Sequence, residues 1–567
     1  MKHIKKLASL LLAVVMILAL ATTAFATGAS NPTTYTITIN KNSTDKAAHT
    51  YAAYQIFTGK LETVDNKDVL SDIQWGTGVT GSTVIEELNK IDGFSIPTTA
   101  TAADVAKAIS DKAYTTDAVG AQAVADAINA ALTTTTAGTG SIAANATSGT
   151  ITGLVAGYYL VKDKDAVSGE GAQTRYILEV VKNVSVTEKA SVPSVEKKVK
   201  ERDDGKTSNN ETDWQDAADY DIGDEVPFKL TGTLPSTFAD YDTYKVYKFI
   251  DTLSTGLTIT DAEKNELTVK VGTQDITNLF DVTVSGQTLT VALKSGTDLK
   301  ATTLKDKAGA AVTFTKDSKI VVEYKATLNN NATIGAPGND NKVKLEFTNN
   351  PNGEQNGEKG TTPEDKVVVF TYEIKALKVA PTSDAAIDAT TYAALTDEQK
   401  ADYVKVGDKY QKTQALEGAG FTLYKKVNGE YTVVGEEVKN VTTFEFKGTD
   451  AGEYKLVETT VPAGYNKAAD IEIKVSATYD TTADEPKLKT LEVTPDTAGF
   501  TVTTTAASAT DTTHITTDGI IVGKVLNQKG SFLPSTGGIG TTIFYVTGAV
   551  LALGAGILLI TKRRMRR

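Results

Sequence analysis

The chain has 567 residues, no cysteine, three histidines and a formal net charge of −12. Its length accommodates about three domains of ordinary size, while the lack of cysteine excludes disulfides, thiolate metal sites and a cysteine nucleophile. The basic side chains of the two ends (Lys2, Lys5, Lys6, Lys562, Arg563, Arg564, Arg566 and Arg567) have no acid beside them and leave −20 for the middle, a charge that repels phosphate backbones and excludes nucleic acid, and His3, His49 and His514 are too few for a histidine triad or metal centre.

The chain begins "MKHIKKLASLLLAVVMILALATTAFAT": a basic start, an apolar run from Leu7 to about Ala21, and small residues at Ala24 and Ala26. This reads as a secretory signal over 1–26, cleaved between Ala26 and Thr27. Beyond it, threonine, valine and tyrosine alternate with polar residues in "TTYTITIN", "NELTVKVG", "FDVTVSGQTLTVAL", "KIVVEYKATL" and "KVKLEF". Period-two patterning with Asn and Gly turns predicts half-buried strands of antiparallel sheets, and hence an all-β chain of tandem sandwiches. Three stretches have apolar spacing nearer 3.6, "TAADVAKAISDK", "DAVGAQAVADAINAAL" and "LTDEQKADY", and are expected as helical insertions on that frame. Polar, turn-forming stretches near Pro193 and from Asn349 to Lys366 divide the secreted part into domains 27–188, 189–367 and 368–530. "ERDDGKTSNNETD" lacks EF-hand spacing and reads as a solvated hairpin loop. "GTGSIAANATSG" reads as a turn region, and Trp75 and Trp214 as packing or linker residues rather than sugar platforms; no metal or cofactor is expected.

A weak repeat links "AGYYLVKD" at 156–163 with "AGEYKLVE" at 451–458. In each, a tyrosine, an aliphatic residue and an acid (Asp163 or Glu458) share one strand face, so a carboxyl points among apolar neighbours and requires a partner inside. Lysines do the same. Lys197 shares its face with Val195 and Val199, and Lys378 with Tyr372, Ile374 and Ala376. A buried ammonium either deprotonates or finds a carboxylate, and a neutral buried amine is a nucleophile.

The carboxyl end has three parts in order: Leu533-Pro534-Ser535-Thr536-Gly537, an apolar run from about Ile543 to Ile560, and a basic tail, together 531–567. The run is long enough to span a bilayer, and the tail stays cytoplasmic by the positive-inside rule. The pentapeptide resembles the LPxTG sorting signal of Gram-positive surface proteins. "YKLVETTVPAGY" at 454–465 resembles the E-box of Gram-positive pilins, and "LEGAGFTLYKK", "PSVEKKV", "YKFIDTLSTGL" and "KVLNQKGSFLPSTGG" place nearly the whole secreted chain beside sortase-assembled backbone pilins.

That resemblance implies immunoglobulin-like Cna-A and Cna-B-type sandwiches and lysine to asparagine isopeptide bonds formed without an external enzyme. It implies Lys378 joined to Asn527 with Glu458 assisting, and, in a Cna-A-like middle domain, Lys197 joined to Asn341 with Asp251 assisting. Asn349 shares the face of Asn341 and stays open as the acceptor. In the first domain Asp163 takes the acid position, but no lysine and asparagine pair is evident. A sortase would cut between Thr536 and Gly537 and pass the threonine carbonyl to a pilin-motif lysine, Lys189, with Lys182 as rival. Thr187 and Glu188 stand where the family carries an aromatic residue and proline. The implied role is the shaft subunit of a cell-wall pilus that supports adhesion, itself no enzyme. The implied partners are its own copies, a pilin-polymerising and a cell-wall sortase, accessory pilins, peptidoglycan and host or cell-surface receptors. A wall-anchored adhesin or minor tip or base pilin is the alternative, and a surface hydrolase the second.

Overall fold

The computed structural model describes residues 33–64, 67–111, 118–174, 177–180, 182–188, 190–201, 214–352, 359–482, 485–495, 500–502, 514–530 and 539–565. Their strands form six sheets, with few helices between them, in agreement with the all-β reading.

The first part of the chain has three layers. Strand Gly157–Asp163, in the five-stranded sheet, turns Tyr159 and Val161 toward the three-stranded sheet, against Ile37, Ile39 and Ile151. Tyr158 and Leu160 face the other way, onto helices Gly81–Leu88, Ala102–Asp111 and Ala118–Ala130. A strand covered on both faces is apolar at successive positions, as "GYYLV" is. The two longer helices match the 3.6-spaced stretches. Gly81–Leu88 was not anticipated, since Thr83, Val84 and Ile85 resemble strand residues, yet Val84, Ile85 and Leu88 fall on one helical face and are buried. "LTDEQKADY" yields only the four-residue helix Asp397–Lys400, closed by a capping box from Thr396 to Gln399. "GTGSIAANATSG" turns at Asn145, φ 62°, between strand Gly138–Ile142 of the five-stranded sheet and strand Ser148–Leu154 of the three-stranded sheet.

The middle of the chain is a sandwich of two seven-stranded sheets. One contains Val195–Lys200, Glu225–Thr233 and Lys319–Leu328 as neighbours; the other contains Asp365–Phe370, Asn339–Thr348 and Tyr247–Leu253 as neighbours. Strand Glu225–Thr233 turns Val226, Phe228, Leu230 and Gly232 inward, and a Cβ at Gly232 would stand 2.3 Å from the Tyr247 hydroxyl oxygen, so only glycine fits. The last sandwich pairs two six-stranded sheets. Its opening strand Tyr372–Asp388 runs parallel to its closing strand Ile520–Leu526, which brings the two ends of the sandwich side by side. Trp75 packs on Phe57 at 5.3 Å, and the Lys229 amine lies 4.6 Å from the Trp214 ring centroid. Most of the "ERDDGKTSNNETD" loop lies outside the described residues. After the sandwiches comes helix Ile539–Arg564, whose stretch Ile543–Arg564 contains an 18-residue window of mean hydropathy 2.3 and is long and apolar enough to cross a membrane.

The acid on the doubly covered strand of the first part has its partner inside. Asp163 Oδ1 meets His49 Nδ1 at 2.8 Å, and Asp163 Oδ2 accepts from the Thr174 amide at 2.6 Å. His49 Nε2 lies 3.2 Å from Asp45 Oδ1, so one imidazole bridges two buried carboxylates. Burial opposes its charge, but the hydrogen bonds and charges of Asp163 and Asp45 outweigh that and hold His49 up at about 9. Tyr51 stacks on the imidazole at 5.4 Å. Its hydroxyl donates to Glu188 Oε2 at 2.6 Å while the Asn42 amide donates to Oε1 at 2.6 Å.

A group raised on folding stabilises the fold fully below its unfolded value, about 6.5, and loses that contribution as pH rises through about 9. Calorimetry of the intact chain should therefore show the first transition weakening between pH 7 and 9. His49→Ala, which leaves two buried carboxylates without their shared cation, should lower that transition by about 3–5 kcal/mol at pH 7. An unchanged transition in the variant would refute the charged bridge.

Candidate functional site: two buried clusters of lysine, acid and asparagine

In the last sandwich, strand register sets Lys378 beside Val525 on the parallel closing strand, and the Asn527 amide N–H donates to the Val379 carbonyl at 3.0 Å. Lysine and asparagine thus leave adjacent strands of one sheet. Glu458 comes from the facing sheet, where it pairs with Phe421. Lys378 Nζ donates to Asn527 Oδ1 and lies 3.0 Å from Glu458 Oε1. Asn527 Nδ2 donates to both Glu458 oxygens, at 2.9 and 3.2 Å, and the Ala468 amide steadies the carboxylate at 2.6 Å. All three residues are about 1% exposed. Burial pushes the Lys378 amine below its ordinary value against the pull of Glu458. Its Nζ sits 5.1 Å from the Phe421 ring centroid.

In the middle sandwich the lysine lies on one sheet and its partners on the other. Lys197 pairs with Leu230 on its own sheet; across the core, Asp251 pairs with Val343 and Asn341 with Leu253. Lys197 Nζ donates to Asp251 Oδ1 at 2.5 Å, and Lys197, Asp251 and Asn341 are fully buried. Burial lowers Lys197 to about 8 in spite of Asp251, and burial raises Asp251 in spite of Lys197. Here a residue that strand alternation marked only as core joins the site. The Tyr324 hydroxyl donates to Asp251 Oδ2, accepts from Lys197 Nζ at 3.1 Å and accepts from Asn341 Nδ2 at 2.8 Å. The signal available in "KIVVEYKATL" was that Tyr324 alone carries a polar tip on the inward face of Ile320, Val322 and Ala326.

Asn349 does not enter this cluster. Its Nδ2 donates to the carbonyls of Val167 at 2.6 Å and Gly171 at 3.3 Å, so it ties the middle sandwich to the first part of the chain. Asp163 is taken by His49, and the Lys41 amine donates to the Ala47 carbonyl and lies 3.7 Å from Asp45 Oδ1. Among the described residues no lysine and asparagine pair joins Asp163. Ala26, Thr27, Lys189 and Leu533, Pro534, Ser535, Thr536 and Gly537 lie outside the described residues, and Lys182 is exposed. Glu188, which departs from the motif, is buried and held by Tyr51 and Asn42, so the carboxylate has its own binding site where the family carries a proline.

Each cluster sets a lysine amine against a carboxyl and a carboxamide in a dry core. A buried acid and amine can share a proton so that both are neutral. The amine is then a nucleophile facing an amide whose leaving group is ammonia. The arrangement is suited to a single condensation within the chain rather than to turnover of a diffusing substrate.

Residues 222–351 match the family model of the Gram-positive pilin backbone subunit 2, Cna-B-like domain, and residues 402–487 match the prealbumin-like fold domain SpaA. The first description is Cna-B-like, where sequence reading placed the middle domain with the Cna-A-like type. The trypsin-resistant surface T6 protein of Streptococcus pyogenes serotype M6 is 26% identical over 402 residues, 66% of this chain and 70% of that protein. Among solved structures, the T6 backbone pilin of S. pyogenes covers 88% of this chain and 100% of its own at 17% identity and a TM-score of 0.46. The full-length major pilin SpaD of Corynebacterium diphtheriae covers 88% and 98% at 16% identity and a TM-score of 0.41. Two successive sandwiches thus match a Gram-positive pilin-backbone model and the SpaA model, and with its similarity to a streptococcal surface protein the chain resembles Gram-positive backbone pilins, the structural subunits of pilus shafts.

Proposed function

We propose that this pilin is polymerised by a sortase through Thr536 onto Lys189 of the next copy, and that each of its last two sandwiches is locked by an isopeptide bond, Lys378 to Asn527 and Lys197 to Asn341. The observation that carries the reading is the Lys378, Glu458 and Asn527 cluster, in which amine, acid and amide are in mutual contact and sealed from water. Glu458 takes a proton from the lysine, the amine attacks Asn527 Cγ, Glu458 hands its proton to the amide nitrogen and takes one from the now cationic Nζ, and the Cγ–Nδ2 bond breaks to release ammonia, each step favoured by exclusion of water. The chain is a substrate for the sortase, not an enzyme. The apolar helix holds it at the membrane until cleavage between Thr536 and Gly537 releases the body to the growing pilus on the wall. Accessory pilins, peptidoglycan and adhesion to host or cell-surface receptors belong to this reading through the pilus.

A bond across about 150 residues stabilises the folded chain by about 5 kcal/mol on the loop-entropy estimate. Intact mass should fall below the sequence mass by about 34 Da, two ammonias. Glu458→Ala should recover about 17 Da of that and lower the melting of the last sandwich by roughly the bond's contribution. A secreted chain at full sequence mass would sink the bonds.

Polymerisation is checked separately, in cells carrying the pilin sortase. Wild type should give a ladder of SDS-resistant multimers, Lys189→Ala and Thr536→Ala should give monomer only, and Lys182→Ala should retain the ladder. A ladder that survives Lys189→Ala and vanishes in Lys182→Ala moves the acceptor to Lys182.

A further inference from the structure

We propose that the Tyr324 hydroxyl is a catalytic proton relay in the middle sandwich, carrying a proton from Asp251 to the leaving nitrogen of Asn341. The proposal rests on the reading that Lys197 and Asn341 condense. Its ground is a difference between the two clusters. In the last sandwich the carboxylate of Glu458 itself reaches both reactants, Asn527 Nδ2 at 2.9 Å and Lys378 Nζ at 3.0 Å. In the middle sandwich the acid is an aspartate, one methylene shorter. It reaches Lys197 at 2.5 Å, but the hydrogen-bond partner of the Asn341 amide nitrogen is Tyr324, at 2.8 Å, and Asn341 Oδ1 has none. Tyr324 fills the gap: a single buried oxygen in contact with Asp251, Lys197 and Asn341.

The ring is placed for this task. Phe228 is the register neighbour of both Val199 and Tyr324, stacks on the Tyr324 ring at 5.4 Å, and lies 5.0 Å below the Lys197 amine. One phenyl group therefore holds nucleophile and relay side by side. Burial raises Tyr324 well above its ordinary value, so it stays a hydroxyl and can only pass protons on.

The step balances. Lys197 first gives one proton to Asp251, leaving a neutral amine and a carboxylic acid. The amine lone pair attacks Asn341 Cγ, and the carbonyl electrons move to Oδ1. Asp251 Oδ2 passes its proton through the Tyr324 hydroxyl to Nδ2, while Oδ1 of the same carboxylate takes a proton from the now cationic Nζ. The Cγ–Nδ2 bond breaks, the carbonyl re-forms, and ammonia departs. Asp251 ends as the neutral acid beside a neutral amide.

The test follows ammonia loss with time in freshly synthesised full-length chain, reading the Lys197–Asn341 and Lys378–Asn527 cross-linked peptides separately by mass. Tyr324→Phe should slow the middle bond by about a hundredfold or more and leave the last bond at its wild-type rate. The double variant Tyr324→Phe with Asp251→Glu should recover at least part of the loss, because the longer acid can reach the amide itself; a hydroxyl needed only for packing would not be replaced in this way. A middle bond formed at the wild-type rate in Tyr324→Phe overturns the relay. So does a folded single variant that is slow and that the glutamate does not rescue. Should Tyr324→Phe not fold, wild type in mixtures of H2O and D2O decides: a curved dependence of the middle bond's rate on deuterium content supports two protons in flight, and a linear one overturns the relay. Wild type that forms neither bond condemns the underlying condensation instead.

Discussion

An ammonium taken out of water between two sheets is the constraint on which this structure turns. Stripping its hydration costs several kcal/mol, and an ion pair with a buried acid recovers that only about to break-even against an apolar core. Lys197 and Lys378 both have side chains wholly removed from solvent. Both are met by an acid from the facing sheet and lie about 5 Å from a phenylalanine ring, Phe228 or Phe421, which adds a weak attraction for the cation and keeps water out. A third group, the asparagine, distinguishes these clusters from ordinary buried salt bridges. An amide between lysine and asparagine carries no charge, so condensation removes the desolvation cost at its source.

Strand topology then decides what the bond does. In the last sandwich the lysine and asparagine lie on the parallel opening and closing strands, so a link between Lys378 and Asn527 joins the two ends of the domain directly. Tension applied at those ends would pass through such a link, and the strands between would carry none of it. In the middle sandwich the link would cross from sheet to sheet, from the strand that opens the domain to Asn341 near the start of Asn339–Thr348. There it would hold the two layers together. At the junction of the two sandwiches, Lys425 donates to Asp221 at 2.6 Å and Asp450 at 2.8 Å, and the Ala451 amide donates to Asp219 at 2.8 Å. This polar joint ties residues on either side of strands Asp365–Phe370 and Tyr372–Asp388, which follow one another across Thr371.

Strand alternation made much of this legible, because a period of two leaves little freedom about which side chains face inward. Lys197, Lys378 and Glu458 could be assigned to the interior from their apolar neighbours alone, whereas Asp251 entered through the family resemblance. The same rule could not separate Asn341 from Asn349, since a strand that outruns its own core keeps one face; Asn349 lies where that strand meets the carbonyls of Val167 and Gly171 instead. Nor could it give Tyr324 a role, because an inward tyrosine is ordinary core until the facing sheet brings an acid and an amide to its hydroxyl. His49 and Asp163 are 114 residues apart, and only the pairing of strand His49–Val64 with Gly157–Asp163 brings them together. Helix Gly81–Leu88 was hidden by β-branched residues whose propensity yields to burial on one face.

The load path accounts for the different solution in the first part of the chain. If copies are joined from Thr536 to Lys189, tension enters after the first part and runs only through the two later sandwiches. Residues 33–188 then hang beside the path and need thermodynamic rather than mechanical stability. A histidine shared between Asp45 and Asp163 supplies that without a covalent bond, and it leaves Asp163 no free oxygen for a lysine and asparagine pair. Glu188, gripped by Tyr51 and Asn42 immediately before Lys189, would then end the unloaded part at the proposed acceptor. From there on, each of the two later sandwiches carries a lysine opposite an asparagine.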